Sequence, residues 1–132
     1  MATIKRFEDL EIWQASRELA KKVKILTETE LFSKDYRFRD QANASAGSAM
    51  DNIAEGFERS SRLEFVNFLS IAKGSTGEIR SQLYRSADYG YLKESEVLPI
   101  IKDYELLASK ISGFITYLNK SVHKGQKFKE RV

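Results

Sequence analysis

Apolar side chains recur every three or four residues along most of the chain, a spacing that places them on one face of a helix. Four long helices are predicted: from about Phe7 to Thr29, from about Asp35 to Phe57, from the Ser61 cap to the Gly90 turn, and from about Glu94 to Val122. Short connectors, such as Leu31 to Lys34, force neighbouring helices to run antiparallel. The expected fold is therefore all-α: an antiparallel up-down-up-down four-helix bundle in residues 1–122, followed by a flexible basic tail in residues 123–132.

Several residues mark where these helices begin and end. Ser61 and Glu64 form a capping-box pattern, in which each side chain accepts a hydrogen bond from the other residue's backbone N–H. Gly56 is expected to end the second helix, since glycine is common just past a helix end. Pro99 is expected within or close to the first turn of the fourth helix, where a missing N–H is tolerated.

Small residues are concentrated in the second and third helices. The run from Ala42 to Ala49 predicts close approach of a neighbouring helix; a nucleophilic serine nest is the alternative, although no base lies near it in sequence. Gly74 and Gly77 each cost up to about 1 kcal/mol relative to alanine inside a helix. They predict either tight backbone contact or a kink. The segment Gly74–Gly77 also matches the Gly-x-x-Gly loop of KH domains, but that fold needs strands, and the pattern shows none.

The third and fourth helices carry more apolar rows than one bundle seam needs. The extra rows consist of Phe68 and Ile71 on the third helix and of Ile100, Leu107 and Phe114 on the fourth. Such rows either fill a thick core or are covered by a second copy, because a large exposed apolar patch promotes association. These five residues are the candidate interface of a homo-oligomer.

Composition argues against an enzyme. The 132 residues contain no cysteine and one histidine, His123, which excludes disulfides, thiol nucleophiles and cysteine-ligated metals and leaves almost nothing for a histidine site. Asp51 and Glu55 have the spacing of a paired-carboxylate site, although a solvated acidic pair is the simpler interpretation. No metal and no cofactor are expected. With neither a signal-peptide pattern nor a run of about 18 apolar residues, we expect a cytoplasmic protein without a membrane partner.

The basic character of the chain is confined to its ends. The net charge is +3 and the pI is about 9.1. Residues 7–122 nevertheless carry 16 basic and 18 acidic side chains, so the predicted bundle is slightly acidic. The tail is basic, and its candidate RNA- or DNA-binding residues are Lys124, Lys127, Lys129 and Arg131. A solvated end without a binding role is the alternative.

Several separated motifs occur in an order that resembles the bacterial large-subunit (23S) rRNA intervening-sequence proteins. They are Phe7–Trp13, Asn52–Phe57, Glu64–Phe65, Phe68–Leu69, Ile71–Ser75, Gln82–Leu83 and Gly90–Leu92. The resemblance implies an all-helical up-down bundle, a homopentameric ring and no enzymatic activity. A related branch, the accessory proteins of diversity-generating retroelements, looks like a strongly basic pentamer that binds nucleic acid and a reverse transcriptase.

The chain departs from this family's pattern just before the second motif. Relatives often have a basic pair and then Ser-Ile-Pro, where this chain has Asn43–Ala44 and Ser48–Met50. Two positive charges are thus missing, which argues against nucleic-acid binding by that face.

The motif itself, with Asn52, Glu55, Gly56 and Phe57, is interpreted as structural. Asn52 would hydrogen-bond across the bundle, and Glu55 would pair with Arg59 or cap a neighbouring helix. Gly56 would permit the turn, and Phe57 would plug the bundle end. A polar site formed by Asn52 and Glu55 is the alternative.

Two functions from different classes follow. The first is a non-enzymatic, homo-oligomeric accessory factor associated with RNA or DNA. The second is a scaffold that binds another protein and makes no nucleic-acid contact.

Overall fold

The computed structural model describes residues 4–120, and its long elements are all helical. After a 3-10 turn at Phe7–Asp9, the helices are α1 (Glu11–Thr27), α2 (Glu30–Lys34), α3 (Tyr36–Glu58), α4 (Arg62–Asp88) and α5 (Glu94–Lys120). No strand occurs between residues 4 and 120. The all-α prediction is confirmed, with α1, α3, α4 and α5 as the four long helices of a bundle. The predicted tail, residues 123–132, lies outside the described residues.

Each long helix packs against the next one along the chain, and α5 also packs against α1. Near the start of α3, Asn43 Nδ2 donates to Thr27 Oγ1 at the end of α1, at 2.9 Å. At the start of α4, Arg62 donates to Asn119 Oδ1 near the end of α5, at 3.0 Å. These contacts join the beginning of one helix to the end of another.

The core is a continuous column of apolar side chains that each long helix supplies. Val23 of α1, Ile53 of α3, Leu69 and Ile79 of α4, and Ile111 of α5 are fully or almost fully buried. Burying one such side chain stabilises the fold by about 1.5–3 kcal/mol. Among the helices of the described residues, none is long and apolar enough to cross a membrane.

Side-chain caps set the starts of α3 and α4. The Asp35 carboxylate accepts a hydrogen bond from the Phe38 N–H at 3.2 Å, and the Ser61 hydroxyl accepts one from the Glu64 N–H at 3.0 Å. The predicted helix start at Ser61 is confirmed. The Glu64 carboxylate lies 3.7 Å from the Arg59 guanidinium. Both caps satisfy backbone donors that a helix leaves unpaired in its first turn.

The N-terminal part and the α5 start differ from the predicted pattern. The predicted first helix is interrupted by Leu10, which is extended and buried and so separates the 3-10 turn from α1. The predicted connector after α1 contains α2, because Phe32 is fully buried and anchors that short turn. Pro99 is the sixth residue of α5, so its missing N–H removes one hydrogen bond from the second turn.

The glycines inside α4 do not pack tightly within this chain. A Cβ atom added at Gly74 or Gly77 would have no neighbouring atom within 4 Å. The prediction of tight backbone contact at these two residues is therefore wrong for the contacts of the described chain. Both residues lie in the middle of a continuous helix, so the KH-loop interpretation is also wrong.

Candidate functional site

At Gly56 the backbone of α3 lies close to side chains of α4. Gly56 is buried inside α3, and a Cβ added there would lie 2.7 Å from Phe68 Cβ and 3.0 Å from Phe65 Cδ1. The helix continues beyond it to Glu58, so the prediction that Gly56 ends the helix and permits the turn is wrong. Phe57 packs edge-on against Phe65, with ring centroids 5.9 Å apart. These two motif residues therefore hold the helices together.

A polar seam next to this contact links α3 to α4. The hydroxyl oxygens of Ser48 and Ser75 are 2.9 Å apart. Asn52 Nδ2 donates to the Ser48 carbonyl at 2.8 Å and to the Ser48 hydroxyl at 3.0 Å. Both acceptors lie on α3 itself, so the prediction that Asn52 hydrogen-bonds across the bundle is wrong for the described residues, and it is Ser48 that bonds to α4. Neither of these partners of the Ser48 hydroxyl, a serine and an amide, can take its proton, so the seam has the geometry of a structural network and not of a serine nucleophile.

The acidic part of the motif faces solvent. The Arg59 guanidinium lies 2.8 Å from the Glu55 carboxylate, which confirms that predicted pair, and also stacks over the Phe68 ring at 5.0 Å. Asp51 and Glu55 are both exposed, and this arrangement is typical of a solvated acidic face. Between residues 4 and 120, no group of three histidine, aspartate or glutamate side chains could hold a metal ion.

A groove between α3 and α4 runs from the polar seam toward the end of α4. Its volume is about 630 Å³, and its lining consists of Gln41, Ala44, Ser45, Ser48, Glu78, Ser81, Gln82 and Arg85. The Gln82 Oε1 atom is buried and has no hydrogen-bond partner among the described residues. A second groove of about 520 Å³ shares Ser81 and Arg85 with the first and is completed by Arg80, Tyr84 and Asp88.

Aromatic rings and an arginine cluster where α4 ends beside the beginning of α3. The Arg85 guanidinium lies 4.1 Å above the Phe38 ring and 5.9 Å from the Tyr89 ring. The Tyr91 hydroxyl donates to the Asp35 carboxylate at 2.8 Å, and this hydrogen bond raises the pKa of Tyr91. Asp35 therefore caps α3 and anchors the α4–α5 connection at the same time.

Sequence reasoning missed this cluster. The neighbouring pairs Tyr36–Arg37 and Tyr84–Arg85 are a signal that could have drawn attention to it. The sequence pattern alone does not place Phe38 beneath Arg85, because that contact depends on how α3 packs against α4.

The five predicted interface residues differ in their exposure to solvent. Ile71 is exposed, whereas Phe68, Ile100 and Phe114 are half-buried. Leu107 is only 1% exposed and belongs to the chain's own core, so it offers no surface to a second copy. Other large aliphatic side chains of α4 and α5 are more exposed than most of the predicted set: Leu63, Leu98 and Leu106.

The predicted nucleic-acid-binding residues of the tail, Lys124, Lys127, Lys129 and Arg131, lie outside the described residues, as does His123.

Comparison with known proteins identifies the family. No curated protein matches this sequence. The sequence profile of the family described as 23S rRNA-intervening sequence protein matches residues 8–113, a span that includes α1, α3 and α4 and most of α5. It contains the Gly56 contact and the Ser48–Ser75 seam. Because the match covers most of the chain, this protein belongs to the 23S rRNA-intervening sequence protein family.

Proposed function

We propose that this protein is a non-enzymatic, self-associating helix bundle that acts as an accessory factor associated with nucleic acid. The observation that carries the proposal is the exposure of large aliphatic side chains on α4 and α5. These two helices also supply buried side chains to the core, so they are apolar on more than one face. The serine seam and the acidic pair support a non-enzymatic role, because the hydrogen bonds and ion pairs of their residues leave no activated nucleophile or paired acid and base.

The bundle order that we propose is up-down-up-down. The Arg62–Asn119 and Asn43–Thr27 contacts support it. Two ion pairs support it as well: α1 meets α5 through Glu11 with Lys110 and, eleven residues further along α1, through Lys22 with Asp103. As α1 advances, its partners on α5 move backward along the chain, as expected for antiparallel helices.

The surface proposed for self-association, which we call the outer aliphatic surface, consists of Leu63, Ile71, Leu98 and Leu106. These side chains are 42–61% exposed. A leucine gains about 1.5–3 kcal/mol when it is fully buried, so covering four half-exposed side chains on every subunit is a substantial driving force. Two of them lie on α4 and two on α5. A heterologous interface, in which two different surfaces meet, generates a ring when the rotation between subunits closes. The homopentameric ring implied by the family is the arrangement we propose.

Light scattering coupled to size-exclusion chromatography tests this proposal. We expect an oligomer at micromolar concentration, and we expect Ile71→Glu and Leu106→Glu each to shift it toward the monomer. Ile25→Glu is the matched control, because Ile25 is 68% exposed on α1, outside the outer aliphatic surface. A parent protein that is monomeric at micromolar concentration would overturn self-association. Equal effects of the three variants would overturn the assignment of the surface.

Association with RNA or DNA is proposed through the basic tail, whose charge is multiplied by the number of subunits. Lys124, Lys127, Lys129 and Arg131 are its candidate contacts. Each neutralised phosphate adds about 0.7–0.9 to the slope of log affinity against log salt concentration. Deleting residues 123–132 is expected to weaken binding and to lower that slope. If the deletion leaves both unchanged, the tail is not the contact.

The alternative function, a protein-interaction scaffold in the cytoplasm, is favoured by a different observation. Residues 4–120 carry 18 basic and 18 acidic side chains, so the described body has no net charge to attract a polyanion. This alternative predicts no salt-dependent retention of the full chain on heparin and co-purification of a defined polypeptide. Retention that weakens steeply with salt excludes it.

A further inference from the structure

The described body carries a surface suited to nucleic acid, although its net charge is zero. We call it the tyrosine–arginine surface and define it by Tyr36, Tyr84, Tyr89, Arg80 and Arg85. Tyr84 and Tyr89 are 51% and 53% exposed at the end of α4, and Tyr36 is 68% exposed at the start of α3. The Arg39 guanidinium lies over the Tyr36 ring at 5.1 Å, and Arg85 lies 5.9 Å from the Tyr89 ring, so Tyr84 is the ring with no arginine stacked on it among the described residues. The bundle end therefore combines partly exposed tyrosine side chains with guanidinium groups.

The arginines of this surface are positioned but not neutralised. In the described part of the chain, no carboxylate oxygen lies within 4.0 Å of the charged nitrogens of Arg80 or Arg85. Arg85 is held over the Phe38 ring, a contact that leaves the N–H groups at the guanidinium edge available to an anion. Both arginines line the 520 Å³ groove, and Arg85 also lines the 630 Å³ groove.

The carboxylates of the two grooves lie on the same helix as the arginines. Asp88 lines the smaller groove and Glu78 the larger one. The smaller groove contains two arginines and one aspartate, so its local charge is positive. A phosphate would therefore be attracted most strongly to the smaller groove.

We propose that the tyrosine–arginine surface binds single-stranded nucleic acid. Bases would stack on the exposed tyrosine rings while the backbone phosphates contact Arg80 and Arg85. Base–aromatic stacking tolerates any sequence, because every base has a π-face, so the site would show little sequence preference. The inference rests on the nucleic-acid association proposed above and adds a contact that belongs to the body of the bundle. The alternative is that this surface contacts another protein chain. The experiment distinguishes that contact from binding of nucleic acid.

The experiment measures the affinity of the full chain for labelled oligo-U RNA and oligo-dT DNA by fluorescence anisotropy at several salt concentrations. We expect Tyr84→Ala to weaken binding by about fivefold or more, the usual loss for one stacked base. Tyr117→Ala is the matched control, because Tyr117 is 54% exposed on α5, away from this surface, and less than a twofold change is expected.

The second part of the experiment tests the phosphate contacts with the double variant Arg80→Gln, Arg85→Gln. We expect it to lower the salt slope by roughly 1.4, the contribution of two phosphate contacts on a single strand. Arg17→Gln is the control, because the Arg17 guanidinium also stacks on a ring, that of Trp13, at 5.5 Å, but lies on α1. Circular dichroism and light scattering on every variant verify that the fold and the oligomeric state are kept.

The outcomes distinguish the two proposals. If the full chain binds and Tyr84→Ala behaves like Tyr117→Ala, the tyrosine–arginine surface is not the site, while the proposed association stands. If the full chain binds neither RNA nor DNA, both proposals fall. If Tyr84→Ala changes the oligomeric state instead of the affinity, the surface is a protein contact, and the inference is overturned.

Discussion

Replacing Gly56 by alanine tests the central packing contact of the bundle. The new methyl carbon would lie 2.7 Å from Phe68 Cβ. Carbon atoms in contact are normally about 3.5–4.0 Å apart, so α3 and α4 must separate by roughly 1 Å. Phe68 Cβ is bonded directly to the α4 backbone, so a change of side-chain rotamer cannot relieve the clash.

The expected magnitude combines two opposing effects. Overpacking a core typically costs about 1–3 kcal/mol. Alanine regains up to about 1 kcal/mol in a helix, because it has less backbone freedom to lose than glycine. We therefore expect Gly56→Ala to lower the free energy of unfolding by about 1–2 kcal/mol, and more if the Phe65 ring, 3.0 Å from the new methyl carbon, must also move.

Gly74→Ala is the matched control, because Gly74 is also inside a helix but has open space around its Cβ position. That variant is expected to gain about 0.5–1 kcal/mol from helix propensity alone. Urea unfolding followed by circular dichroism measures both values, at one protein concentration, because association shifts apparent stability. If Gly56→Ala proves as stable as Gly74→Ala, the close approach of α3 and α4 is not what requires glycine.

Three further predictions concern polar groups. Tyr104→Phe removes a buried hydroxyl that has no partner among the described residues, and it should raise stability by about 1 kcal/mol at pH 7. Burial raises the pKa of Tyr104, so above about pH 10 the unfolded chain releases this proton before the folded one does and the free energy of unfolding falls as the pH rises; in urea unfolding between pH 7 and 11 the variant should lose less stability than the parent. Ser48→Ala and Ser75→Ala should each cost about 0.5–1.5 kcal/mol, and a double-mutant cycle that is strictly additive would contradict their hydrogen bond. Asp35→Ala should cost about 1 kcal/mol from the lost helix cap and should lower the Tyr91 pKa toward its ordinary value in a spectrophotometric titration; an unchanged titration would contradict the Tyr91–Asp35 bond.

Local signals in the sequence were sufficient for most of the fold. The Ser61 cap and the apolar spacing predict the long helices, because capping and periodicity are properties of neighbouring residues. The turn formed by α2 and the break at Leu10 were not predicted. Both depend on burial of a side chain, Phe32 or Leu10, against distant parts of the chain.

Tertiary packing decides what local signals leave open. Glycine ends helices and also permits helices to touch, and only the presence of Phe68 opposite Gly56 distinguishes the two roles. On α5, Leu106 and Leu107 are adjacent and equally apolar, yet one is 56% exposed and the other 1%. Their orientation depends on where α1 and α4 lie. The same reason hid the tyrosine–arginine surface, which requires α3 to pack beside the end of α4.

The long helices differ in how extensively they pack against one another, so the bundle is not equally stable throughout. The contact between α3 and α4 is the most extensive, whereas the one between α5 and α1 is smaller and bears the Glu11–Lys110 and Lys22–Asp103 ion pairs on its surface. Exposed ion pairs contribute only about 0–1 kcal/mol each. We therefore expect slow amide hydrogen exchange in α3 and α4 and faster exchange in α1, since local opening follows weak packing. If α1 and α5 separate in a local unfolding event, α3 and α4 would remain packed together. The tyrosine–arginine surface, which lies at the ends of α3 and α4, would then stay intact while part of the core is exposed.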